Sequence, residues 1–123
     1  MSQAKISILT LSIITSAAAL ASRFITTAGA YPAAGGLPIG VNAADAVSGQ
    51  PTPVDVLGTT LVQAGAAIAV DAKIMVGTDG KAITHDADGD KHAVGRALTA
   101  AAADGDLIEI LLVPSAGLLV TAA

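Results

Sequence analysis

The chain has 123 residues, a net charge of −4 with only six Lys plus Arg, 53% hydrophobic residues and no cysteine. Its length sets one domain, able to bury roughly two-thirds of its unfolded surface. The charge excludes the phosphate-neutralising term that drives nucleic-acid binding, and the missing cysteines exclude disulfides, thiolate chemistry and Cys-type zinc sites. Much of the hydrophobic fraction is alanine, and Phe24 and Tyr31 are the only aromatics. A core of Ile, Leu and Val with so little volume per residue gains from a partner surface.

Residues 1–21 carry two patterns. Lys5, the apolar run from Ile6 to Ile14 and an A-x-A ending at Ala21 imitate a secretory leader. The sixteen residues from Ile6 to Ala21 fall short of the roughly 20 that a membrane span needs, so no membrane partner is expected. The other pattern is an extended arm. Ile6, Ile8, Leu9, Leu11, Ile13 and Ile14, mixed with Ser and Thr, favour a strand over a helix. An uncharged strand of this kind pairs with a sheet or lies on a partner.

Arg23–Thr27 reads as a short strand, and residues 28–38, rich in Gly and Pro, as an irregular loop. Ile39-Gly40-Val41 then leads through a turn into Val54-Asp55-Val56-Leu57-Gly58, with Pro51 and Pro53 pre-setting an extended entry. Thr59–Val62 continues the β pattern, and residues 64–72 form a tight connection. Lys73–Val76 and Ala82–Thr84 flank Asp79-Gly80, a strong hairpin signal because the turn requires positive φ. Val94-Gly95-Arg96 and Leu107–Val113 repeat the grammar of the earlier unit: Val-Gly matches Ile-Gly, and Ile-Glu-Ile-Leu matches Val-Asp-Val-Leu. No segment sustains a helical period, and Ala100–Ala103 allows one turn at most. The expected fold is all-β: a small barrel- or sandwich-like body of two pseudo-repeated strand–turn–strand units with an extended N-terminal arm. The apolar tail 114–123 is expected to lie on the body or a neighbour.

Polar side chains cluster in one loop, His85 to His92. Asp86, Asp88 and Asp90 alternate as in a calcium loop, but Lys91 stands where that loop needs Gly, and Ala97 where it needs the bidentate Glu. The loop therefore reads as a solvated turn. His85 and His92 lack a third nitrogen or sulfur ligand. No Ser sits in G-x-S-x-G, and Gly77–Lys81 lacks the phosphate-loop spacing. Asp55 and Glu109, alternating with Val54/Val56 and Ile108/Ile110, read as solvent-facing positions of half-buried strands. The residues point to no enzyme, no cofactor and no metal.

The strings ILTLSIITSAAALASRFIT, PIGVNAADAVSGQPTPVDVLGTTLVQAGAAIAV and GRALTAAAADGDLIEILLVP resemble the capsid cement, or head decoration, proteins of tailed bacteriophages. The likeness covers nearly the whole chain and rests on the order and spacing of these Ala-rich strings. It implies residues 1–21 as a capsid-binding arm and 22–123 as a single β-rich decoration domain. It further implies a homotrimer on the outside of the expanded head, at three-fold and quasi-three-fold positions, bound to the major capsid protein and bracing the shell against packaged DNA. The expected location is the outer capsid surface of the virion, and the host cytoplasm during assembly. The arm residues expected to carry docking are Lys5, Ile6, Ile8, Leu9, Leu11, Ile13 and Ile14. A competing expectation is a secreted or periplasmic β-domain whose residues 1–21 are a cleaved leader and which binds a ligand or a surface.

Overall fold

A run of alternating and β-branched residues, broken by Gly and Pro at the turns, dictates strands throughout. The computed structural model describes residues 5–86 and 91–113. Among these residues eight strands form: β1 (Ser7–Ile14), β2 (Arg23–Ile25), β3 (Gly40–Asn42), β4 (Pro51–Gln63), β5 (Lys73–Val76), β6 (Ala82–Thr84), β7 (Gly95–Ala97) and β8 (Leu107–Leu112). The one helical element among the described residues is a 3-10 turn, Thr78–Gly80. The fold is all-β, as the pattern requires.

The strands run in the order β2-β3-β4-β8-β7-β5-β6, with β1 attached to β4. A bridge between Ala64 and Ala82, with the Gly65 N–H donating to the Ala82 carbonyl at 2.8 Å, ties the end of β4 to β6. The sheet thereby becomes a nearly closed barrel. Its interior is filled by Phe24, Val62, Ile74, Val76, Ile108 and Ile110, with alanines between them. A second, smaller cluster of Ala19, Ile25, Val54 and Val56 lies where β1, β2 and the first half of β4 meet.

β4 is the organising strand. Its first half pairs with β1 and β3, and its second half, Thr59–Gln63, pairs with β8. The β pattern expected to continue beyond Gly58 does so, and the chain runs through as one strand. Gly58 makes this possible by taking φ +96, and a side chain there would meet the Ile6 carbonyl.

Both expected hairpin units form. β3 pairs antiparallel with β4, and β7 with β8. Gly40 and Gly95 are the matched glycines because a Cβ at either would come within 2.1 Å of the Asp55 carbonyl or 2.8 Å of the Leu111 carbonyl. The registers nevertheless differ: Val41 faces Asp55, whereas Arg96 faces Leu111, two residues beyond Glu109. The β5–β6 hairpin closes as its Asp-Gly predicts, with Asp79 at φ 56 and Gly80 at φ 72. Arg23 fixes that turn to β2, donating to Gln63 Oε1 at 2.8 Å and to the Asp79 carbonyl at 3.0 Å. The strand expected over Arg23–Thr27 ends at Ile25, where Thr26 turns the chain by accepting from Gly29. Tail residues 114–123 lie outside the described residues.

Candidate functional site

The N-terminal segment is where exposure and pairing disagree with an ordinary surface. Residues 7–14 form a strand because β-branched and Leu side chains alternate with small hydroxyls, and β4 gives them an edge to pair with. The arm is therefore not free: it already lies along β4 of its own chain, from Ser7 opposite Gly58 to Ile14 opposite Pro51. Two compensating register shifts fall between Ser7 and Thr10, and pairing is regular from Thr10 to Ile14.

The residues singled out in the sequence divide into three kinds. Ile6 (71% exposed), Ile8 (75%), Leu9, Leu11 and Ile14 stand at the surface. Ile13 tucks against the Ala19–Ile25–Val54–Val56 cluster. Lys5 does something different, as its Nζ reaches Asp55 Oδ2 at 2.9 Å. Four large aliphatic side chains exposed on one strand, with Ile6 just before it, are more apolar surface than a monomer ordinarily shows along one edge.

Asp55 overturns the expectation that it faces solvent. It is 2% exposed, sealed beneath the start of β1. Its Oδ2 accepts from Lys5 Nζ and from Thr60 Oγ1, both at 2.9 Å, and its Oδ1 accepts from Thr10 Oγ1 at 3.2 Å. The Ser7 hydroxyl sits 3.1 Å from Thr10 Oγ1, and the Ile6 N–H donates to Thr59 Oγ1 at 2.8 Å. Burial pushes the Asp55 carboxyl up, but hydrogen bonds from Lys5 and Thr60 and the nearby ammonium outweigh it, leaving the group below its ordinary value. The result is a buried, fully partnered carboxylate that clasps the irregular end of β1 to β4. Period-two reasoning missed it because the strand that covers Asp55 comes from 45 residues earlier. Glu109 is likewise buried, contrary to expectation. Its N–H donates to Thr99 Oγ1 and its carbonyl accepts from the Leu98 N–H, so its backbone is held by the 98–99 turn.

Beside β1, an apolar cleft of about 310 Å³ opens between Leu9, Leu11, Leu37, Leu57, Leu112 and Val113. Among the described residues no charged side chain lines it. An aliphatic or aromatic side chain fits such a cleft, and a polar ligand would leave its hydrogen bonds unmade.

The polar loop does other work. A ring nitrogen of His85 lies 3.0 Å from the Lys91 carbonyl, and Lys91 Nζ pairs with Asp86 Oδ2 at 2.6 Å. The His92 N–H donates to the Gly35 carbonyl. Asp88 and Asp90 of the calcium-like pattern lie outside the described residues. Among the described residues no three His, Cys, Asp or Glu side chains gather to hold a metal.

Segments 15–21 are also built in. Thr15 and Ala19 are buried; the Thr15 N–H donates to the Gln50 carbonyl, and Ala19 exchanges hydrogen bonds with Ala46. A chain cleaved after Ala21 would lose β1, both of these buried residues and the cover over Asp55.

Comparison with known proteins places this geometry in context. A family model described as phage cement protein matches residues 3–112. Among solved structures, the head fiber gp8.5 N base of bacteriophage phi29 superposes with a TM-score of 0.72 at 23% identity, covering 85% of this chain and 93% of that one. At that identity the likeness is one of fold. No curated protein matches the sequence.

Proposed function

Since the chain belongs to the phage cement protein family, we propose that it binds the outer surface of the expanded head and braces neighbouring shell subunits against the pressure of packaged DNA. It is a structural protein of a phage capsid. In this reading residues 1–21 act as the capsid-binding arm, 22–123 as the decoration domain, and the major capsid protein of the same phage is the partner. The protein docks as a homotrimer at three-fold and quasi-three-fold positions, after assembly in the host cytoplasm.

The observation that carries the reading is the exposed, uncharged stretch of β1 and the residue before it, with Ile6, Ile8, Leu9, Leu11 and Ile14 at the surface. Burying such side chains at a seam contributes roughly 25 cal/mol per Å² of apolar area, and many copies act in parallel over a shell. The work is mechanical and needs no catalytic group. Leu107 and Leu111, exposed on β8, offer further aliphatic area for contact between copies. The leader-peptide alternative fares worse, because it discards a strand and part of a core.

The test is co-sedimentation of purified protein with expanded heads that lack it. Ile8→Lys and Leu11→Lys should each weaken binding by about tenfold or more, since a charge must be desolvated at the seam. Val70→Lys, the same change at an exposed residue of the 64–72 connection, should leave binding within about twofold. Equal effects at all three positions would remove the arm from the contact.

A further inference from the structure

The direction in which β1 turns its backbone determines how a partner can reach it. The Pro53 carbonyl accepts from the Ala43 N–H at 2.9 Å, and the Asp55 carbonyl sits where a Cβ on Gly40 would be. Pro53 and Asp55 therefore turn their backbone groups toward β3. In an antiparallel ladder, two residues directly opposite either exchange both hydrogen bonds or both turn away. Thr10 faces Asp55 and Ser12 faces Pro53, so Thr10 and Ser12 present their N–H and C=O groups on the outer side of β1. No described strand other than β4 pairs with β1. Farther along, the Ile14 carbonyl is closed over by Gly29, where a Cβ would come within 2.1 Å. The open edge is thus short and centred on Thr10–Ser12, comparable in length to β2 and β3.

We infer that β1 stays paired with β4 when the protein docks, and that an extended, uncharged segment of a shell subunit adds to the outer edge at Thr10–Ser12. The inference rests on the docking reading above and names its mode. Three observations hold β1 in place. Thr15, at its end, donates through Oγ1 to the Val47 carbonyl at 2.6 Å and through its N–H to Gln50. Ile13 is packed into the smaller core cluster. Lifting the strand would also strip Lys5 and Thr10 from the buried Asp55 carboxylate, leaving a charge without most of its partners. The edge itself lacks the usual protection: from Ile6 to Ile14 there is no charged residue and no proline. An added strand takes its affinity from main-chain hydrogen bonds and its selectivity from alternate side chains. The Leu9–Leu11 side, which leads into the apolar cleft, selects large aliphatic or aromatic ones.

Two variants separate edge addition from release. Ser12→Pro removes an outward N–H and sets a ring where the added strand would lie, yet takes no hydrogen bond from the β1–β4 ladder. It should lower co-sedimentation with decoration-free expanded heads by about tenfold or more, with an unchanged circular-dichroism spectrum. The second variant is a staple, Ser12→Cys with Pro53→Cys, across a pair whose Cα atoms approach closely. The chain has no other cysteine to interfere. Its oxidised and reduced forms should bind heads equally.

Loss of binding on oxidation, restored by reductant, would show that β1 must leave β4 and would overturn the inference. Undiminished binding by a folded Ser12→Pro would overturn it too. So would a Ser12→Pro protein that binds heads normally but changes its oligomeric mass, because a second copy would then occupy the edge. Should the proline weaken the strand itself, the staple still decides whether β1 leaves. A wild-type protein that ignores the heads would instead overturn the docking reading and the inference with it.

Discussion

The two glycine-led hairpins start from the same sequence grammar and end in different company. In the second, β7 and β8 stand side by side in the sheet, and the Glu109 backbone is held by the adjacent 98–99 turn. In the first, the first half of β4 carries β1 as well as β3, and Asp55 is covered by that strand from earlier in the chain. An acidic residue between β-branched neighbours is thus buried in both copies, and in the first its carboxylate takes partners from a distant segment. The difference teaches that the second hairpin is joined on both sides to strands of the main sheet, while the first has been given an added partner, β1.

That comparison can be broken at several points. The largest effect is expected at the paired glycines. Gly40→Ala forces a Cβ to within 2.1 Å of a backbone carbonyl, Gly95→Ala to within 2.8 Å. Both overpack, by about 1–3 kcal/mol or more, and urea denaturation should show the first to be the worse. Next comes the clasp. Asp55→Asn should cost about 1–3 kcal/mol, since it removes the partner of Lys5 and disturbs two hydroxyl donors in a buried site. Equal loss from Glu109→Gln would mean that the two acids are equivalent after all.

Acid sharpens the same contrast. The Asp55 carboxyl is lower in the folded chain than in the unfolded one. Its stabilisation is therefore complete above the ordinary aspartate value of about 4 and is lost as pH falls through the lower folded value. Melting temperatures followed from about pH 5 to about pH 2 should fall in the wild type and fall less steeply in Asp55→Asn. The smallest effect is expected at Arg96–Asp71, an ion pair at 2.8 Å with both side chains exposed. Arg96→Ala should change stability by about 1 kcal/mol at most, with a dependence on salt.

Local chemistry was legible in the sequence. Asp79-Gly80 specified its hairpin because few other dipeptides take two successive positive φ values, and Ile39-Gly40 and Val94-Gly95 marked the two strands that tolerate no Cβ. The apolar strand at residues 6–14 was legible too, along with its need for an edge. What could not be read was which edge. That depends on Gly58 letting β4 pass beneath the Ile6 carbonyl, a contact across 52 residues with no local signature. The burial of Asp55 follows from that pairing, so alternation alone put it on the wrong side. Its one trace in the sequence was Lys5, a lone positive charge at the head of an apolar run.

The continuity of β4 carries a mechanical consequence. Its first half holds β1, and its second half is hydrogen-bonded to β8 over five residue pairs. A pull delivered at β1 along its length passes down β4 and meets that ladder in shear. All the rungs then share the load, because the hydrogen bonds lie across the strand direction. The same pull applied at right angles would open the rungs one after another. The thirteen-residue strand thus gives the molecule a strong axis and a weak one, and how β1 lies on a shell decides which of them bears the strain.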